Sequence, residues 1–330
     1  MKMAQKIALR IGLIGVIIVA SNFIYKFTTY ESDLSADANI LRKFEHALEQ
    51  GDALYFSSSP NATYADGIDT DTRSISQMVN DSISSLNIMS VDTGAIHAGV
   101  FKKLIEMIPA ESDIKHIFVH LNYRSFGVGW QQSELENAIQ KEMVFYNNRP
   151  AIVNRFLQGL NAYEAIDPKE RKRLMLASWA NEPLPFDPPR NTVESWCAVE
   201  KWGDWTNPKR QLADHYIKNF AFTLDETNPR VADYDDIVTL CEAKGISLTY
   251  IILPENLEEA ADLVDHDLVN LMVDNKNWLK DRYLSKGVQV VDVFDQVADE
   301  YFLERHFPSE HYFENGRRII ASEIIKSLKH

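Results

Sequence analysis

From residue 51 onward the chain alternates short apolar runs with helical stretches, and that alternation limits its fold more than any other feature. Ala53-Leu54-Tyr55-Phe56, Asn87 to Val91, His116 to Leu121, Ile246 to Leu253 and Val288 to Val293 read as five strands. Between and after them, apolar residues at helical spacing predict helices at about 73–86, 98–108, 132–144, 232–244, 270–285 and 317–328. Strands in this rhythm imply an α/β domain of three layers, α/β/α, with a five-stranded parallel sheet between two helical layers. In such sheets, sites form in the crevice beyond the carboxyl ends of the strands.

Two segments stand outside the rhythm. Residues 147–230 hold Pro183, Pro185, Pro188 and Pro189 and a cluster of Trp196, Trp202 and Trp205. They read as a partly helical insertion, too long for a plain connector. The tryptophans either pack the insertion onto its host or form a sugar-stacking platform. At the other end, Ile7 to Tyr25 is nearly all apolar, with an uninterrupted core from Ile11 to Ala20. Nineteen helical residues reach roughly 28 Å, about the thickness of a bilayer's hydrocarbon core. Lys2, Lys6 and Arg10 precede that core, so the positive-inside rule keeps the N-terminus cytoplasmic and sends the rest across. Residues 1–28 are therefore expected to be a single-pass anchor in a bacterial inner membrane, with an extracytoplasmic domain. A signal peptide cleaved before Ser21 is the alternative. Residues 29–50, with Leu34, Ile40, Leu41, Phe44 and Leu48 on one face, read as one amphipathic linker helix leading into a domain at 51–330.

The formal net charge of −14, with no Lys/Arg run longer than three residues, argues against nucleic acid as a partner. Cys197 and Cys241 suggest neither a metal set nor a disulfide framework. They form one bridge in an oxidising compartment or two buried small apolar residues. No GxGxxG, GxxxxGK[ST] or HExxH occurs, so neither a nucleotide cofactor nor a catalytic zinc is expected.

Four residues stand where the crevice rule points: Ser59 after strand one, Gly94 after strand two, Asn122 after strand three and His311 after strand five. Acyl transfer needs a nucleophile, a base for its proton and donors aimed at the developing oxyanion. Serine, histidine and the N–H groups of glycine and asparagine supply those roles. Serine in block one, glycine in block two, asparagine in block three and histidine in block five resemble the SGNH/GDSL hydrolases. The segments LYFSSSPN at 54–61, DTDTRSI at 69–75, HLNYRSF at 120–126, YIILPEN at 250–256 and SEHYFENGRRIIA at 309–321 carry the resemblance. They look closest to membrane-anchored members akin to the D-alanyl-transfer proteins of teichoic-acid synthesis and to exopolysaccharide O-acetylation proteins.

The resemblance implies Ser59 as nucleophile and His311 as base, with the Ser59 N–H, Gly94 and Asn122 as oxyanion hole. It implies an acylated glycan or envelope polymer as substrate, and a membrane-bound O-acyltransferase as a partner, beside which the chain would be either the enzyme or a non-catalytic companion. Two positions depart from the pattern. Ser57 stands where the family has glycine, and Pro308 where it has the triad acid. Glu310, adjacent to His311, is the first substitute acid; Glu304, Asp292 or a backbone carbonyl are the others. Asn61, Asp71 and Arg73 are candidate substrate contacts, although acids at a helix start are also favoured by its dipole.

The charge pattern around the apolar run predicts that alkaline phosphatase fused after His330 is active in cells, and that a cytoplasmic reporter at the same place is silent. The reverse pair of signals would overturn the orientation.

Overall fold

The computed structural model describes residues 3–138, 140–147, 149–160, 162, 166–199 and 208–329. The apolar runs become β1 (Ala53–Ser57), β2 (Ile88–Asp92), β3 (His116–Leu121), β4 (Ser247–Ile252) and β5 (Gln289–Asp292). All pair in parallel, in the order β2-β1-β3-β4-β5. The first crossover runs outward from β1 to β2; the chain then returns past β1 and adds β3, β4 and β5 on the other side. β1 is therefore interior, and its five residues are all buried.

Side chains of a strand alternate between faces, and here each face has its own core. Leu54 and Phe56 point into a layer made by α3 (Asn39–Gln50), α5 (Ala98–Glu106) and the helices Pro229–Lys244 and His266–Ser285. Ala53 and Tyr55 point the other way, against α4 (Ile75–Ser82) and the C-terminal helix Glu314–Ser327. Phe56 shows how the first layer closes: its ring sits 6.4 Å from Phe44 of α3 and 5.5 Å from Phe101 of α5. Gly245 and Gly287 end the two long helices at φ +66° and +75°, a left-handed turn that glycine adopts without strain.

One sequence expectation changes, and two others are narrowed. The stretch 29–50 is two helices, α2 (Tyr30–Asp37) and α3, because Ala38 leaves helical geometry at φ −153°. The break lets Leu34, Ala38, Ile40 and Leu41 all bury, and α3 packs against β2 as part of the host core. The helix expected at 132–144 is helical over Glu134–Ala138 and Gln140–Met143 and gives way to a 3-10 turn at Val144–Tyr146, with Glu136 paired to buried Arg230 at 2.6 Å. Within the insertion, Trp196 is fully buried against Phe186 at 5.1 Å, so it packs rather than offering a sugar platform. Trp202 and Trp205 lie outside the described residues.

Ahead of all this stands α1 (Met3–Thr28), long and apolar enough to cross a membrane, with mean hydropathy 2.2 over its best window. No disulfide joins Cys197 and Cys241, which are both buried, and burial pushes the Cys241 thiol up to about 12.

One buried side chain makes the fold pH-sensitive. His120 on β3 meets Tyr55 Oη at 2.7 Å, and burial lowers its pKa from 6.5 to about 3. The unfolded chain binds this proton more readily than the folded one, so its contribution is complete above about pH 6.5 and is lost as pH falls toward 3. Between pH 6 and 4, unfolding free energy should fall by about 1.4 kcal/mol per pH unit from this group. Denaturant titrations of His120→Gln should show a correspondingly flatter slope; an unchanged slope would refute the assignment.

Candidate active site

The strand register sets the site. Ser57 pairs with Asp92, so Ser59 and Gly94 each lie two residues past that pair. Phe56 pairs with Val119, so Ser59 and Asn122 each lie three residues past that one. Nucleophile candidate, glycine and asparagine thus emerge at one level on three adjacent strands, with Ser59 in the middle.

Beyond β1 the chain turns at once into a 3-10 turn, Ser59–Asn61, with Pro60 inside it. The turn is held through the Ser59 carbonyl, which accepts from the N–H groups of Ala62 and Thr63 and from Thr63 Oγ1 at 2.8–3.1 Å. As first residue of the turn, Ser59 has no partner within it for its own N–H. Its hydroxyl is 2.9 Å from His311 Nε2. His311 Nδ1 lies 2.8 Å from Glu304 Oε2, which also accepts from Ser309 Oγ at 2.6 Å. Partial burial alone would raise Glu304. The Ser309 hydrogen bond and the charge and hydrogen bond of His311 outweigh it and hold the carboxyl below its usual range. An ionised Glu304 fixes the proton of His311 on Nδ1, leaving Nε2 to accept from Ser59.

Glu304 reaches His311 from seven residues away because the chain folds back on itself. Phe302 and Tyr312 form an antiparallel bridge, and the Leu303 N–H donates to the His311 carbonyl at 2.9 Å. A Cβ on Gly316 would stand 2.9 Å from Tyr312 Cβ, so glycine is what lets the next helix start so close to this hairpin.

Glu310 does something else. It is buried, and its two oxygens accept from Arg124 Nε and Nη2 at 2.7 and 2.6 Å. Adjacent residues in extended chain point apart, so Glu310 turns inward while His311 faces the crevice; Glu310 is not the acid that orients the imidazole. Despite deep burial, the Arg124 guanidinium keeps Glu310 ionised, and burial plus the Glu310 charge raises neighbouring Glu255 far above the carboxylate range. The result ties the His311 segment to the turn after β3 through Arg124. Asp292 is remote from this, engaged by Lys276 and Lys280 at 3.0 and 2.9 Å.

Asn122 is buried at the end of β3, where its Oδ1 accepts from the Ser125 N–H at 3.3 Å. Gly94 sits in an exposed turn after β2, with open space where a side chain would be. The three candidate substrate contacts are spent on structure instead. Asn61 is fully buried, its amide bonded to Ser76, Ser90 and Asp92. Asp71 accepts from Arg73 and Arg318 at 2.7 Å each, and these partners lower its pKa. Arg73 reaches on to Asp81 at 2.7 Å.

On the Glu304 side of the relay opens a cavity of about 450 Å³, lined by Arg124, His215, Asn219, Glu304, Phe307, Pro308 and Ser309. His215 and Asn219 come from the insertion helix Pro208–Phe220. Sequence reasoning assigned no role to Arg124, although it lies inside one of the quoted segments. A serine–imidazole–carboxylate relay at a crevice, with a cavity alongside, has the parts for acyl transfer.

The two glutamates should separate experimentally. Removing one partner of a buried ion pair is expensive, so Glu310→Gln should cost about 3 kcal/mol of stability. Glu304 is half-exposed, and Glu304→Gln should leave the denaturation midpoint nearly unchanged. Equal midpoints for both variants would contradict this division.

No family model matches the chain, and no curated protein matches it. Among solved structures, a lipase/acylhydrolase from Enterococcus faecalis aligns over 84% of this chain and 94% of its own, with TM-score 0.36 and 7% identity.

Proposed function

We propose that this chain is a serine esterase or O-acyltransferase of the SGNH type, acting on acyl esters of a cell-envelope polysaccharide or teichoic-acid-type polymer. The observation that carries the proposal is the relay Ser59 Oγ–His311 Nε2 and His311 Nδ1–Glu304, with successive separations of 2.9 and 2.8 Å.

In the first step, Ser59 Oγ attacks the ester carbonyl while its proton passes to His311 Nε2. Glu304 stabilises the imidazolium that forms. The carbonyl oxygen, now negative, draws on N–H donors at Ser59, Gly94 and Asn122. Collapse expels the alcohol, which takes its proton from Nε2 and leaves an acyl-Ser59 ester. A second hydroxyl, from water or a sugar, then gives its proton to Nε2, attacks that ester and restores Ser59. The cavity sets the apolar Phe307 and Pro308 beside the polar Arg124, His215 and Asn219, a mixed lining that matches the faces and hydroxyls of a sugar. With α1 as anchor, the domain would work at the outer face of the inner membrane, beside a membrane-bound O-acyltransferase as acyl supplier.

The second reading is a non-catalytic role beside that partner; Glu304 at His311 supports the catalytic one, since it supplies an acid that Pro308 cannot. A fluorophosphonate probe on the full-length protein should label Ser59, and Ser59→Ala or His311→Ala should abolish labelling. Glu304→Gln should slow turnover of a small acyl ester toward the roughly 10⁴-fold loss of a missing triad carboxylate, moderated by its solvation. Intact polymer acylation in cells carrying Ser59→Ala would defeat the enzyme proposal.

A further inference from the structure

The insertion holds the N-terminal helix in a fixed place. The Ile152 N–H donates to Asn22 Oδ1 of α1 at 3.1 Å, and the helix Ala151–Gly159 packs along α1. One turn on, Arg155 of that helix pairs with Asp33 and Asp37 of α2 at 3.1 and 2.8 Å. Tyr25 Oη of α1 donates to the same Asp33 at 2.8 Å. Five side chains thus join α1, α2 and an insertion helix into one unit.

On the outside of that unit two large apolar residues face solvent: Phe156 and Leu160 are 65% and 61% exposed. They are four residues apart, Phe156 in the last turn of the helix and Leu160 as the residue that caps it. Phe23, Ile24 and Phe27 at the end of α1 are as exposed. Next to them is a cavity of about 930 Å³, lined among others by Asn22, Lys26, Tyr30, Lys103 and Arg149, with Glu106 its one described carboxylate. The lining carries three cations, Lys26, Lys103 and Arg149, of which Lys103 pairs with Glu106 at 3.1 Å. Apolar side chains beside basic ones and a tyrosine are what the boundary between acyl chains and phosphates selects.

We infer that the helix Ala151–Gly159 is an interfacial element that lies on the phospholipid bilayer, with Phe156 and Leu160 in the acyl region and Lys26, Lys103 and Arg149 toward the phosphates. Phe156 stands exposed on the helix that packs along α1, and the inference rests on α1 crossing the membrane. It fixes how the domain is tilted, since two elements rather than one meet the lipid.

The test places an environment-sensitive fluorophore on Phe156→Cys in the full-length protein in phospholipid nanodiscs. Ile17→Cys serves as a span control and Lys172→Cys as a solvent control, with the parent giving background from its two buried cysteines. Phe156→Cys and Ile17→Cys should both show blue-shifted emission quenched by spin-labelled lipid, and Lys172→Cys neither. If Phe156→Cys behaves like Lys172→Cys while Ile17→Cys reports lipid, the interfacial helix is wrong and the span stands. If Ile17→Cys also reports water, the span fails and takes this inference with it. A blue shift at Phe156→Cys without quenching by lipid means that protein covers the face, and overturns it too.

Discussion

The alignment of the site depends on one buried cation. Arg317 is fully enclosed at the start of the last helix, where its guanidinium meets Asp69 Oδ2 at 2.9 Å and the carbonyls of Thr63, Tyr312 and Asp71. An unpaired guanidinium in that place would cost several kcal/mol, so the loop after Ser59 and the segment after His311 must meet for the fold to close. Glu314 and Arg318 reinforce the contact from the same helix: Glu314 accepts from the N–H groups of Thr70 and Asp71, which holds its carboxyl down to about 2. A bond of 2.9 Å between side chains 252 residues apart in sequence is maintained by this larger and drier network behind it.

Much of this was legible in the sequence. Strand positions were, because a parallel sheet buried on both faces demands continuous apolar runs, and β1 and β3 are such runs. The level of Ser59, Asn122 and Gly94 followed, since a site at strand ends needs only the strands to be placed. The segment DTDTRSI was conspicuous for a reason that the sequence could not state. Its acids serve the helix that carries Arg317 and Arg318, not a ligand, and no spacing rule links residues 69–73 to 314–318.

The acid of the relay was hidden for a similar reason. Glu304 becomes a neighbour of His311 only through the bridge between Phe302 and Tyr312, a single pair too short to leave a periodic signal. Proximity along the chain favoured Glu310, and extended backbone sends adjacent side chains in opposite directions. Asn61 misled in another way: polar residues after a strand read as site material, and this one is fully spent in bonding α4 and β2 to the serine turn.

The direction of the parallel strands gives the molecule two unlike ends. The crevice with Ser59 lies past the carboxyl ends, whereas Lys103, Glu106 and Met107, which adjoin the base of α1, are where α5 finishes on its way back to the start of β3. Five residues of strand are roughly 17 Å of height, and the turns at both ends add to it. With α1 in a bilayer, the sheet is a pedestal that keeps the serine clear of the lipid. An acyl group held at the membrane surface would fall short of it, so a donor has to be tall, or be handed up, while a polymer passing outside the headgroups meets the crevice directly.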